Sequence, residues 1–140
     1  MVRFLMKIIF LLFTIMPYNV HGYKRHVYVL NNLPQNSPKL KVHCASGDDD
    51  LGYHYPKVGE DFDWEFNAWS NTLFFCYFWW GDKDNVFDVF NSPNFCVKDA
   101  SKLVPQYPSK CYWKVMGDGF YLGYEDNNGG KIIYQKYRDW

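Results

Sequence analysis

The 140-residue chain offers little that would direct it to a membrane, a nucleic acid or a nucleotide. Beyond residue 22 no apolar run approaches the roughly 20 residues that a spanning helix needs. Neither charge sign dominates: 15 Lys and Arg face 15 Asp and Glu. No basic stripe of the kind that nucleic acid or anionic lipid demands is present. A Gly-x-Ser-x-Gly elbow, a phosphate-binding glycine loop and an Asn-x-Ser/Thr acceptor are all missing. So is any pair of cysteines two residues apart, the usual half of a zinc framework. Aromatic residues, by contrast, are abundant. Six Trp, 12 Tyr and 12 Phe are far more than a disordered secreted peptide would carry.

The first 22 residues read as a cleaved signal peptide. Arg3 and Lys7 give a positive start, Ile8 to Met16 are almost wholly apolar, Pro17 breaks the run, and Val20-His21-Gly22 offers a cleavage point before Tyr23. The apolar stretch is only about half the length of a membrane span. Secretion to the extracellular space is therefore expected, with no membrane insertion after cleavage. Without Arg3 and Lys7 the charge count becomes 13 basic against 15 acidic, a balance of −2. Residues 23–140 are long enough for one domain and too short for two.

Strand signals recur along that segment. Arg25 to Leu30 is β-rich, and Leu40, Val42 and Cys44 alternate with Lys39, Lys41 and His43. Phe62, Trp64 and Phe66 alternate with Asp61, Asp63 and Glu65, which a helix would scatter around its circumference. Thr72 to Trp80 is apolar on both faces, as suits a strand covered on each side, or one with a second aromatic cluster outside. Gly81 to Asn85 reads as a hairpin loop, Gly117 to Gly119 and Asn127 to Gly130 as tight turns. Asn91 to Lys110 holds Pro93, Pro105 and Pro108 and is expected to contain no regular strand, with a helical turn or two over Lys98–Val104. The fold expected is all-β: a two-sheet antiparallel sandwich of about eight short strands.

Cys44, Cys76, Cys96 and Cys111 make an even set in an exported chain, hence two disulfides. Sequence allows three pairings; the one adopted as an expectation is Cys44–Cys111 with Cys76–Cys96. His26, His43 and His54 could in principle form an acid–base pair for RNA cleavage, with Lys41 or Lys57 stabilising charge, but each sits in a strand pattern with no motif around it. His43-Cys44 cannot work as a nucleophile pair, because adjacent strand residues point to opposite faces. Asp48-Asp49-Asp50 lacks the alternate acids, central glycine and closing glutamate of an EF-hand loop, and no metal or cofactor is expected. Trp69, Trp79, Trp80 and Trp140 are the rings that a carbohydrate platform would use, if core packing does not claim them.

One ordered series of motifs resembles the plant self-incompatibility protein S1 family. Val42-His43-Cys44-Ala45-Ser46-Gly47-Asp48-Asp49-Asp50-Leu51-Gly52 is similar to that family's H-C-x-S-x-D-D-D-L-G segment. Gly59, Phe62, Trp64 and Phe66 come next, then Thr72-Leu73-Phe74-Phe75-Cys76-Tyr77-Phe78-Trp79, similar to T-L-F-F-C-x-F-x-W. Phe87 to Phe90, Cys111 to Val115 and Asp118-Gly119 complete the series. The Asn91–Lys110 stretch is longer than the family's usual spacing. The resemblance implies an exported sandwich with two disulfides and no catalysis. Some members are pistil ligands for a pollen surface protein, with contacts in hydrophilic loops. The matching positions are Asp48, Asp49 and Asp50, and more loosely Asp82, Lys83 and Asp84. On that resemblance the chain is expected to be a monomeric, non-enzymatic ligand of a cell-surface receptor protein. The alternative is a carbohydrate-binding or antimicrobial wall protein.

Overall fold

The structure, a computed structural model, describes residues 22–128 and 130–140. The leader expected over residues 1–22 lies, apart from Gly22, outside the described residues. Among the described residues nine strands form two sheets: β1 (Tyr23–Asn31), β2 (Leu40–Ala45), β3 (Asp50–His54), β4 (Asp61–Ala68), β5 (Phe74–Trp80), β6 (Lys83–Phe90), β7 (Lys110–Met116), β8 (Gly119–Glu125) and β9 (Ile132–Arg138). The five-stranded sheet runs β4-β1-β7-β8-β9, and the four-stranded sheet β3-β2-β5-β6. The expected sandwich is therefore present, with nine strands instead of eight. One pair also departs from the antiparallel rule. β1 and β7 run parallel, with His26 opposite Lys110 and Asn31 opposite Val115.

Period-2 patterning builds the core. Val27 and Val29 of β1, Val42 and Cys44 of β2, Cys76 and Phe78 of β5, Trp113 and Val115 of β7, and Leu122 of β8 all point inward and are essentially inaccessible. At about 25 cal/mol per Å² of apolar area, each such side chain contributes about 1.5–3 kcal/mol. Trp113 also needs a partner for its buried N–H, and donates to the Val89 carbonyl at 2.9 Å.

The parallel pair follows from the connection that precedes β7. β6 ends in the four-stranded sheet, and residues 91–109 carry the chain across to the other sheet, so β7 starts beside β1 with the same direction. No strand forms in this segment; Lys98–Ala100 make a single 3-10 turn, within the stretch where helical turns are expected. Buried Arg25 ties it down by donating from Nη2 to the Pro93 carbonyl at 3.1 Å.

The expected disulfide pairing is wrong. The bonds are Cys44–Cys76 and Cys96–Cys111. Cys44 and Cys76 are direct cross-strand neighbours in the β2–β5 register, with Cα atoms 4.1 Å apart. Cys111 stands at the start of β7 in the other sheet, where the crossover brings Cys96 within 5.9 Å. Cross-links spanning 32 and 15 residues each stabilise by about 3–4 kcal/mol on the chain-entropy account.

Candidate functional site

The Asp48–Asp50 segment is a short loop held from within. The backbone N–H of Ser46 donates to the Asp49 carbonyl at 2.7 Å, and the Ser46 hydroxyl accepts from the Asp49 N–H at 3.0 Å. Asp50, the first residue of β3, has Oδ1 2.6 Å from His43 Nε2 and accepts the Gly52 N–H at 2.9 Å. Those two contacts, the Gly52 N–H first, hold its carboxyl below the ordinary value. Cys44, just upstream, is locked to β5. The loop is thus preorganised, and among the described residues Asp48 and Asp49 have no ion-pair partner. They present two exposed, uncommitted carboxylates.

The second expected loop is not a loop. Gly81 and Asp82 alone make the turn, with Trp80 paired to Lys83, and Gly81 takes φ 61° as the first central position of such a two-residue hairpin requires. Lys83 and Asp84 belong to β6. Asp82 also lies far from Asp48–Asp50. Leu40 pairs with Trp80 and Ala45 with Phe75, so the two turns occupy opposite ends of the four-stranded sheet, roughly 20 Å apart along β5. The structure brings Asp48, Asp49 and Asp50 together and leaves Asp82, Lys83 and Asp84 at the other end.

His26, His43 and His54 do not meet. His26 lies on the outer face of the five-stranded sheet against Asp63 at 2.6 Å, His43 faces outward beside Asp50, and His54 stacks on Phe62 with centroids 3.8 Å apart. The tryptophans divide similarly. Trp80 and Trp140 pack on each other and against the core, their indole N–H groups donating to Ser37 Oγ and the Met116 carbonyl. Trp69 sits in the β4–β5 turn, and Trp79 on the outer face of β5. The four rings form no common platform.

Register arithmetic exposes what sequence reading missed. On the outer face of the four-stranded sheet, Tyr53, His43, Tyr77 and Val86 form one row across β3, β2, β5 and β6. Lys41, Trp79 and Asp84 form the next row, and Asp50, Ala45, Phe75 and Asp88 the row on the other side. Tyr53, Tyr77 and Val86 are 55%, 41% and 44% exposed, so nothing among the described residues covers them. The alternation Phe75-Tyr77-Trp79 was the available signal.

The outer face of the five-stranded sheet is different. Lys24 pairs with Glu65, His26 with Asp63, and Lys136 with Asp118 and Asp139. Tyr28 stacks between His26 and Tyr112, whose hydroxyl donates to Glu125, and Lys110 also reaches Glu125. Burial first, then the Glu125 carboxylate, pushes the Tyr112 hydroxyl well up, while Tyr112 and Lys110 hold Glu125 down. A shallow cleft of about 340 Å³ between Pro105–Lys110 and β7–β8 includes Tyr107, but its one carboxylate is this engaged Glu125.

Residues 26–140 match the plant self-incompatibility protein S1 family. The chain belongs to that family. Among its S1 relatives in Arabidopsis thaliana, S-protein homolog 24 is 34% identical over 118 residues, covering 82% of this chain and 71% of the relative. S-protein homolog 27 is 34% identical over 113 residues, covering 79% and 66%. S-protein homolog 8 is 31% identical over 100 residues, covering 71% of each. The family match takes in all nine strands save the start of β1, and with them both disulfides, the Asp48–Asp50 loop and the open sheet face.

Proposed function

We propose that this S1-family chain is a secreted, non-enzymatic signalling ligand that engages a cell-surface protein through the Asp48–Asp50 loop. The observation that carries the reading is the state of that loop. Its backbone is pinned by Ser46, its ends are fixed by Cys44–Cys76 and His43–Asp50, and its two central carboxylates are left to solvent. A loop already held in one conformation loses little entropy on binding, so a small protein can present it as a recognition element. Exported family relatives acting in recognition between cells, pollen and pistil included, would use such a surface. The leader read in residues 1–22 would deliver it outside the cell.

The test is saturable binding of labelled protein comprising residues 23–140 to intact plant cells, pollen tubes among them, with unlabelled competitor. The reading expects competable binding that weakens several-fold on Asp48→Ala/Asp49→Ala. Binding that is absent, or that only free sugar removes, would sink it.

A further inference from the structure

The open face of the four-stranded sheet lies beside the Asp48–Asp50 loop, and its chemistry is one-sided. Four rings and an imidazole stand on it, with Phe75 and Tyr77 6.0 Å apart between centroids. Tyr53 and His43 have centroids 4.4 Å apart, Tyr77 and Trp79 5.6 Å, and Tyr53 and Trp79 6.2 Å. A ring face carries negative electrostatic potential and attracts cations. The face already demonstrates this with a cation of its own. Lys41 Nζ lies 4.5 Å from the Tyr53 centroid and 4.9 Å from that of Trp79.

The margin is predominantly acidic. Asp50 and Asp88 end one row, Asp84 ends another, and Asp48 and Asp49 stand just beyond the end of β2. Against these five carboxylates stand two permanent cations, Lys41 within the rows and exposed Lys39 just before β2. Exposed aromatic area ringed by acids is poorly suited to an acidic or purely aliphatic surface. It suits guanidinium groups, which stack flat on aromatic rings and reach carboxylates in the same plane.

We infer that this face is the docking surface for an arginine-rich extended segment of a partner protein, with Tyr53, Tyr77 and Trp79 receiving guanidinium groups and Asp48, Asp49, Asp50 and Asp84 setting their approach. The inference rests on the ligand role proposed above and extends its contact from one loop to a sheet face. Lys41 is the internal occupant that the partner displaces.

The experiment is a titration of ¹⁵N-labelled protein with a soluble Gly-Ser peptide carrying alternate arginines, run beside its glutamate counterpart, a cello-oligosaccharide and a simple dilution series. The arginine peptide is expected to shift Tyr53, Tyr77 and Trp79 saturably, and the glutamate peptide to leave them unmoved. Tyr53→Ser/Tyr77→Ser should weaken the arginine peptide about tenfold, and Asp48→Ala/Asp49→Ala about threefold, more at low salt. Lys41→Gln should tighten it about threefold by freeing the rings. Both tyrosines are too exposed for their loss to unfold the sheet; disulfide mapping and the far-UV spectrum of the variant check this, and Tyr77→Lys serves as a second variant. Equal shifts with the glutamate peptide, shifts only with the oligosaccharide, shifts only on concentration, or none at this face would each overturn the inference. If native protein binds cells and Tyr53→Ser/Tyr77→Ser binds equally well, the ligand role stands and the face is excluded. If native protein binds no cell, the ligand role fails, and the peptide titration still reads the face.

Discussion

The two outer faces of this sandwich are built from similar residues and end in opposite states. On the five-stranded sheet, carboxylates and cations pair with each other, and the tyrosines stack between them or donate to them. On the four-stranded sheet, Tyr53 and Tyr77 stand open to solvent beside a half-buried Trp79, and the loop acids Asp48 and Asp49 remain unengaged. A surface whose polar groups satisfy one another gains little from a partner, since each contact must first be broken. A face with exposed rings and free carboxylates has interactions still to make. Position in the register produces the difference. β1 and β4 place Lys24 near Glu65 and His26 near both Asp63 and Glu65, whereas β2 and β5 place Lys41 and His43 opposite Trp79 and Tyr77.

The largest effect separates both faces from what lies beneath them. Trp113→Ala should cost about 4 kcal/mol in chemical denaturation, because it opens a cavity and strands the Val89 carbonyl. Trp79→Ala on the open face should cost under about 1 kcal/mol. Equal losses would mean that Trp79 is a core residue and that the face is not open.

Next comes the cross-link under the open face. Replacing Cys44 and Cys76 together by alanine should cost about 3–4 kcal/mol and loosen the Asp48–Asp50 loop, visible as faster amide exchange at Asp49 and Gly52. Exchange that rises only on the five-stranded sheet would break the proposed link between disulfide and loop.

A matched pair of conservative changes sharpens the comparison further. Tyr112→Phe removes a hydroxyl that donates to Glu125 and should cost about 1 kcal/mol. Tyr77→Phe should change stability by less than about 0.5 kcal/mol. A larger loss from Tyr77→Phe would show a partner for its hydroxyl within the chain.

The smallest effect is in acid. The carboxyls of Glu65, Asp118 and Glu125 on the paired face, and of Asp50 beside the open one, are all held below their ordinary values, by Lys24, Tyr121, Tyr112 and the Gly52 N–H first in each case. A lowered carboxylate lends stability that is complete above the unfolded-state value and fades as pH falls through the folded one. Stability should therefore hold to about pH 4.5 and decline below it. Carbon-detected titration of the four carboxyls checks this; titration at or above ordinary values would contradict the pairing described.

Much of this was legible in the chain. Leu40-Val42-Cys44 and Phe62-Trp64-Phe66 alternate cleanly because one strand face is wet, and the structure places β2 and β4 there. What did not read through was anything set by which strands become neighbours. The disulfides pair as they do because β2 lies against β5, and the parallel β1–β7 contact joins residues more than 80 positions apart. The Asp82–Asp84 turn shrank because Gly81 permits a two-residue hairpin, moving Lys83 and Asp84 into β6. Thr72–Trp80 was apolar on both faces, and only register shows that Tyr77 and Trp79 join Tyr53 in an open cluster rather than a second core.

The most direct test of the account is competition for cell binding by two matched variants of the labelled protein. One carries Asp48→Ala/Asp49→Ala with Tyr77→Ser on the four-stranded side; the other carries Lys24→Ala/Glu65→Ala with Tyr28→Ser on the five-stranded side. The account predicts that the first fails to compete at concentrations where the second competes like native protein. The reverse result, or equal competition by both, would contradict it.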